Sequence, residues 1–443
     1  MVTGVQTCAL PIFDKLANSY EVWVPESGWL AGRRNRDKND SKRKNLTDWS
    51  ILSFLLEIDN CHYPMADSYL QYGIDGVIRI AAETLETLKN NLQSELQDQT
   101  QLDIAYLESL LHVWKRFQQF VADHMVLALE CAKQETSDTK KKRYEKIAKI
   151  CQNLTINKPN TFCEALQLFW FTYLFRSPFG AGCIGRLDQL LYPFYKHDCE
   201  MGIWDQQEAE KMLEEMFTRM NEINTGDTLR NLMLSGQDAK GNDQTNEITY
   251  LILVAYENTG GSEPHLNVRF HEKTPKKLRD NCINMLSSGS GQPTIYFDEA
   301  VLPAMEKAGI CHEDACQYAN DGCTETVIAG KSAIVFWQYE MVKTVELTLF
   351  GGNENPCVKP VSMKKNSIHG ADFVPKTNLL IGIESKKTQE LTTFSEFLSA
   401  FFEQMDHQLD HYFLMIKQKM QEDQTVSITS PFTAGTFEKC LRT

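Results

Sequence analysis

Between Asp103 and Ala132 the chain runs without a proline or glycine, and Ile104, Leu107, Leu111, Trp114, Phe117, Val121, Met125 and Leu129 recur at helical spacing. Such a stretch specifies a long, well-buried helix, and therefore a molecule large enough to cover it. Lys140 to Arg143 read as an exposed turn before a second helical stretch that ends near Pro159. Gln206 to Ile223 repeat the helical period through Ala209, Leu213, Met216, Met220 and Ile223. These Met and aromatic stripes are core rather than a cofactor-binding face.

Strand signals are fewer. His265 to His271 alternate Leu266, Val268 and Phe270 with Asn267 and Arg269, which suits a strand with one face covered. Thr294 to Phe297 form a second short β-rich run, reached through a flexible Ser287 to Gly291 segment. No internal repeat and no linker are evident. One large helix-rich α/β domain is expected from residue 13 onward. Residues 1–12 match nothing that follows and read as a disordered leader or an artefact of the sequence.

The 45 basic and 59 acidic residues give a net charge of −14. That balance argues against a nucleic-acid binder or a protein docked on anionic lipid. The seven basic side chains of Arg33 to Lys44 are interrupted by Asp37 and Asp40 and read as a solvated loop. The longest apolar stretch, Ala165 to Phe175, is too short to span a bilayer and contains Gln167. No secretory pattern follows Met1, and the 13 scattered cysteines read as reduced thiols, so a cytoplasmic location is expected.

The segment Tyr318-Ala-Asn-Asp-Gly-Cys-Thr-Glu-Thr326 carries the chemistry. Asn320, Asp321 and Gly322 are a tight-turn signature, so the chain is expected to reverse just before Cys323. Glu325 lies two residues beyond Cys323, and in an extended loop both side chains point to the same side. A thiol and a carboxylate so placed can divide labour: sulfur takes the electron or nucleophilic step, and carboxylate moves a proton. From these residues alone, a structural turn cysteine is the favoured reading. Cys311, His312 and Cys316 lack the second pair that a zinc site would need. His407 and His411 lack the Glu of a zinc-peptidase helix. Cys163, Cys183 and Cys199 read as buried small hydrophobes.

The segment resembles the thiyl-cysteine loop of the glycyl radical enzymes, the superfamily of pyruvate formate-lyase, whose loop reads Gly-Cys-x-Glu in several branches. Further motifs follow in the same order: Asn160 to Gln167, Gly185-Arg-Leu-Asp-Gln189 with Leu191 to Tyr195, and Leu234-Ser-Gly-Gln-Asp238 with Gly241 and Asn246-Glu247. Glu263 to Arg269, Gly291 to Asp298, Val345 to Leu349 and Thr393 to Phe397 also match. The resemblance runs from about residue 13 to the last residue.

This resemblance implies a ten-stranded barrel jacketed by helices, built as two five-stranded halves, with only the cysteine-loop half present here. It implies that the chain is a fragment: no Arg-Val-x-Gly-Tyr-type loop is found, so the radical-bearing glycine and second half-barrel would lie outside it. No bound cofactor is implied. The glycyl radical is installed by an S-adenosylmethionine-dependent, iron–sulfur activating enzyme, which is the expected protein partner beside a second copy of the chain. Cys323 takes the thiyl role and Glu325 the acid/base role. Ser177, Trp337 and Tyr339 are candidate substrate contacts, the two aromatics being equally readable as core.

Pyruvate formate-lyase has two adjacent cysteines, whereas Cys323 is flanked by Gly322 and Thr324, so formate acetyltransferase chemistry is disfavoured. Radical elimination from a small polar substrate in anaerobic metabolism is expected, as a dehydratase or a C–N or C–S lyase. Arylacetate decarboxylation is the alternative. An inactive binding paralogue fits less well with Cys323 and Glu325 both in place. The chain alone is expected to be inactive.

Overall fold

The computed structural model describes residues 14, 17–18, 20–33, 66–90, 98–176, 183–203, 205–222, 230–321, 325–329, 331–332, 341–353, 382–384 and 390–423. They group into two compact units. One lies within Cys61–Ala333 together with the segment 20–33, and the other within Ile334–Ile428.

The larger unit begins with three helices, α1 (Ala66–Asn90), α2 (Asp98–Gln134) and α3 (Asp138–Ile156). The period-3.6 stripe of α2 supplies Leu107, Trp114, Phe117 and Val121 to the core, while Leu129 is exposed. Lys140 to Arg143 are not a turn; they lie in the first turns of α3. The reversal is at 135–137, where the Glu135 carboxylate accepts the Thr136 and Ser137 N–H groups at 2.9 Å each. Four consecutive basic residues looked like a loop because this helix face meets water. α1 is kinked at Gly73 (φ 71°), and a Cβ there would lie 2.7 Å from the Lys158 backbone.

Helix α4 (Phe162–Arg176) is buried on every face, which explains its unbroken apolar sequence. Gln167 is its polar exception, and its amide brackets Ala31, accepting from N–H at 2.7 Å and donating to C=O at 2.9 Å. Residues 20–33 form a strap held in this way. Two further helices follow, α5 (Leu187–Met201) and α6 (Gln206–Asn221), the latter opened by a capping box between Asp205 and Glu208. Glu215 of α6 accepts the Trp29 and Leu30 N–H groups of the strap. Cys163 and Cys183 are buried as expected, but Cys199 is exposed. It sits in the last turn of α5, just before Gly202, where the helix has left the core.

Three strands, β1 (Asn231–Ser235), β2 (His265–Phe270) and β3 (Thr294–Phe297), form a parallel sheet in that order. Gly185 bridges to Leu232 in parallel and extends the sheet on the β1 side. The crossovers are α7 (Glu247–Thr259) and α8 (Lys276–Ser287). Side chains alternate across the sheet. Leu232, Leu234, Leu266 and Val268 join the hydrophobic core, whereas Asn231, Ser235, Asn267, Arg269, Thr294 and Tyr296 share the other face. This polar face is where the site is built. After β3 come α9 (Asp298–Lys307), a short α10 (His312–Ala315) and an antiparallel pair, β4 (Ala319–Asp321) and β5 (Glu325–Val327).

The smaller unit contains α11 (Met341–Leu349) and α12 (Phe394–Asp423). Thr344 donates to Gln408 at 2.8 Å in their buried contact, and Gln404 brackets Ile383. Among the described residues no helix is long and apolar enough to cross a membrane.

Candidate active site

Two arginines on the polar side of the sheet hold the segment that leads into β4. Arg269 of β2 makes a two-pronged ion pair with Asp298, Nε to Oδ1 at 2.8 Å and Nη2 to Oδ2 at 2.9 Å, and both side chains are fully buried. Removing two charges from water is expensive, so such a pair persists only when its remaining groups are also bonded. Here they are. Tyr318 donates its hydroxyl to Asp298 at 3.0 Å, the Gln237 N–H donates to the same carboxylate at 3.1 Å, and Arg269 Nη1 donates to the Cys316 carbonyl at 2.8 Å. Asp298 opens α9, where the helix dipole favours negative charge. The guanidinium also stacks 4.0 Å from the Tyr318 ring centre. Burial pushes the Tyr318 phenol well above its ordinary value.

Arg186 approaches the same carbonyl, donating to Cys316 at 3.2 Å and to Ser235 of β1 at 2.9 Å. Asp188 accepts the Ser235 N–H and the Thr249 hydroxyl, both at 2.8 Å. Its burial raises the carboxyl pKa, against the opposing pull of Arg186. Gly236 is required beside this network. Its φ is 97°, and a Cβ would lie 2.5 Å from Arg269 Nε. Thus β1, β2 and α9 jointly fix residues 316–318, and these fix the start of β4, which itself packs on β1.

The β4–β5 pair sets Ala319 opposite Val327, Asn320 opposite Thr326 and Asp321 opposite Glu325. Asn320 and Asp321 are therefore not turn residues, as their chemistry suggested. They are buried strand residues, and the chain reverses between Asp321 and Glu325. Packing against β1 has overridden a local turn preference. Glu325 is half-buried at the start of β5, facing a buried Asp321. Cys323 belongs to the connection 322–324, outside the described residues, and so do Ser177, Trp337 and Tyr339. Of the five sequence-predicted site residues, Glu325 alone has a described position.

Sequence reasoning did not single out Arg186, Arg269 or Asp298 individually, although all three stand in the quoted motifs. Arginine on an otherwise alternating strand was the available signal. Cys316 Sγ lies 3.6 Å from His312 Nε2, whose Nδ1 is 2.5 Å from Glu306. His407 and His411 stack with ring centres 4.6 Å apart. Among the described residues no three His, Cys, Asp or Glu side chains form a metal-sized cluster.

The sequence model of the pyruvate formate lyase-like family matches residues 60–441. Trans-4-hydroxy-L-proline dehydratase of Clostridioides difficile is 31% identical over 301 residues, covering 64% of this chain and 36% of that protein. (2S)-3-sulfopropanediol dehydratase of Klebsiella oxytoca is 26% identical over 388 residues, covering 83% and 44%. A glycyl radical enzyme from Archaeoglobus fulgidus superposes with a TM-score of 0.72 at 19% identity, over 97% of this chain and 63% of that one. The chain thus spans less than half the length of the two curated relatives. The fold is the expected one, part of a glycyl radical enzyme barrel with its helical jacket. With most of its length matched by the family's own sequence pattern, the chain belongs to the pyruvate formate lyase-like family, within the glycyl radical enzyme superfamily.

Proposed function

We propose that this chain carries the thiyl-cysteine part of a glycyl radical lyase that eliminates water, an amine or sulfite from a small hydroxyl-bearing substrate. The observation that carries the reading is the hairpin. It starts Glu325 two residues after Cys323, on a strand pair anchored by two buried arginines. The dehydratases named above are similar to this chain in sequence and supply the reaction class.

In this mechanism a glycine-centred radical takes the hydrogen atom of the Cys323 thiol, leaving a thiyl radical. The thiyl sulfur abstracts a hydrogen atom from the substrate carbon that bears the hydroxyl, re-forming S–H and leaving a carbon radical. That radical makes its own hydroxyl much more acidic, and the Glu325 carboxylate accepts the proton. The electron pair of the neighbouring carbon–heteroatom bond leaves with the departing group. Cys323 S–H then returns its hydrogen atom to the product radical. Burial of the surrounding network keeps water and quenchers from the radical. The partners of this reading are a radical-generating S-adenosylmethionine enzyme and a second copy of the chain, in the cytoplasm of an anaerobe.

The product encoded by the complete gene, incubated anaerobically with such an activating enzyme, should show a glycine-centred radical by electron paramagnetic resonance. It should turn over at least one of trans-4-hydroxy-L-proline, 3-sulfopropanediol or isethionate, and Cys323→Ser should keep the radical and lose turnover. Carbon dioxide release from an arylacetate instead would select decarboxylation. Absence of the radical after verified activation would contradict the proposal.

A further inference from the structure

The β4–β5 ladder is short, three residues on each side, and such a pair is marginal unless other contacts hold its arms. The entry arm is secured by the two arginines that bond the Cys316 carbonyl and by the burial of β4. The exit arm has less to rest on. Among the described residues β5 pairs with β4 alone, and Thr326 is exposed while Val327 and Ile328 are buried. A compact turn follows. The Ile328 carbonyl accepts the Lys331 and Ser332 N–H groups at 3.1 Å each, and the Ile328 N–H donates to Ser332 Oγ at 3.1 Å.

This turn delivers Lys331 to α10. Its Nζ donates to both carboxylate oxygens of Asp314, at 2.7 Å and 2.8 Å, and the two side chains are 39% and 28% exposed. Asp314 itself stands at a fixed point. His312 ties α10 to Glu306 of α9, and the chain runs from α10 directly into residues 316–318. One short helix thus grips both arms of the hairpin. Its C-terminal end leads the entry arm to the two arginines, and its Asp314 takes the exit arm by a lysine. The whole of β4 and β5 lies between the two bonded residues.

We propose that Lys331 and Asp314 are positioning residues for Glu325, an inference that rests on the lyase reading and deepens it. Glu325 opens β5, and the ion pair fixes the point at which the chain leaves that strand. Holding this end limits the slide and tilt of β5 against β4, and with them the place of the carboxylate. Neither side chain needs to touch substrate; both act through the strand. A partly exposed pair contributes little to global stability, so its effect is local to the exit arm. Proton transfer requires the base within hydrogen-bond reach, so a small displacement of β5 is read in turnover while the fold stays intact.

The test is a double-mutant cycle read by amide hydrogen exchange in the unactivated protein. Lys331→Met and Asp314→Asn should each speed exchange in residues 325–328 by about three- to fivefold, with β1, β2 and β3 unchanged. The double variant should exchange no faster than either single one, and Lys331→Arg should keep the wild-type rate. Wild-type exchange in both single variants, or effects that simply add, would overturn the clasp. In the complete, activated protein, Lys331→Met should lower kcat by about the same factor, with KM and the glycine-radical signal unchanged and with recovery in Lys331→Arg. An unchanged kcat beside faster exchange would leave the pair a structural staple and overturn its positioning role. The exchange cycle needs no radical. A wild type that forms its radical and turns over nothing removes the lyase reading, while the cycle still reads the clasp by itself.

Discussion

Two arginine–carboxylate pairs in the larger unit perform the same task at different depths. Arg219 and Glu215, one turn apart on α6, clasp the strap: Glu215 accepts two strap N–H groups, while Arg219 donates to the Gly32 carbonyl and lies 4.4 Å from the Trp23 ring centre. Arg269 and Asp298, on β2 and α9, clasp the approach to the hairpin in full burial. The strap pair is local in sequence and touches solvent, so water can replace part of what a mutation removes. The hairpin pair is assembled by the fold and has no such substitute. A clasp made by the tertiary structure fails sharply when one partner is lost.

That contrast can be broken first at the deep pair. Arg269→Leu leaves the Asp298 carboxylate buried without its cation and should lower stability by about 3–5 kcal/mol in urea unfolding. A loss no larger than at the strap would remove the distinction between the two sites. The next effect separates the regions by pH. His124, packed between Phe120 and Phe171 near the strap's Tyr20, donates Nδ1–H to the Phe120 carbonyl, and burial pushes its pKa down to about 4. Because the folded state binds this proton more weakly than the unfolded state, the contribution is complete above about pH 6.5 and is lost as pH falls toward 4. The difference is roughly 3 kcal/mol, and His124→Phe should flatten that part of the stability profile.

Gly236→Ala brings a methyl group against Arg269 at a positive φ and should cost about 2 kcal/mol, read as a lowered unfolding midpoint. The smallest effect is expected at the strap. Glu215→Ala should cost about 1–2 kcal/mol and speed protease cleavage within residues 20–33, with the hairpin undisturbed.

The parts legible in the sequence are those that periodicity governs. The α2 stripe reported a buried face, and the structure places it so; the alternation of His265 to Phe270 located a strand but not its cover, because Asn267 and Arg269 are buried as fully as Leu266 and Val268. The misreadings share a cause. Lys140 to Arg143 and Asn320-Asp321 were judged by local chemistry, yet the first run is the wet face of a helix and the second is strand buried against β1. Arg186, Arg269 and Asp298 are distant in sequence, and their convergence on residues 316–318 is a tertiary fact that no local window contains. The spacing of Glu325 two residues after Cys323 is a fact of the sequence, while the position of Cys323 lies outside the described residues.

The central claim is that the hairpin presents Glu325 as the proton acceptor of a radical elimination. In the complete, activated protein, Glu325→Gln should reach the wild-type glycine-radical signal and lose turnover by roughly 10²- to 10⁴-fold. Turnover at the wild-type rate with the radical intact would contradict it.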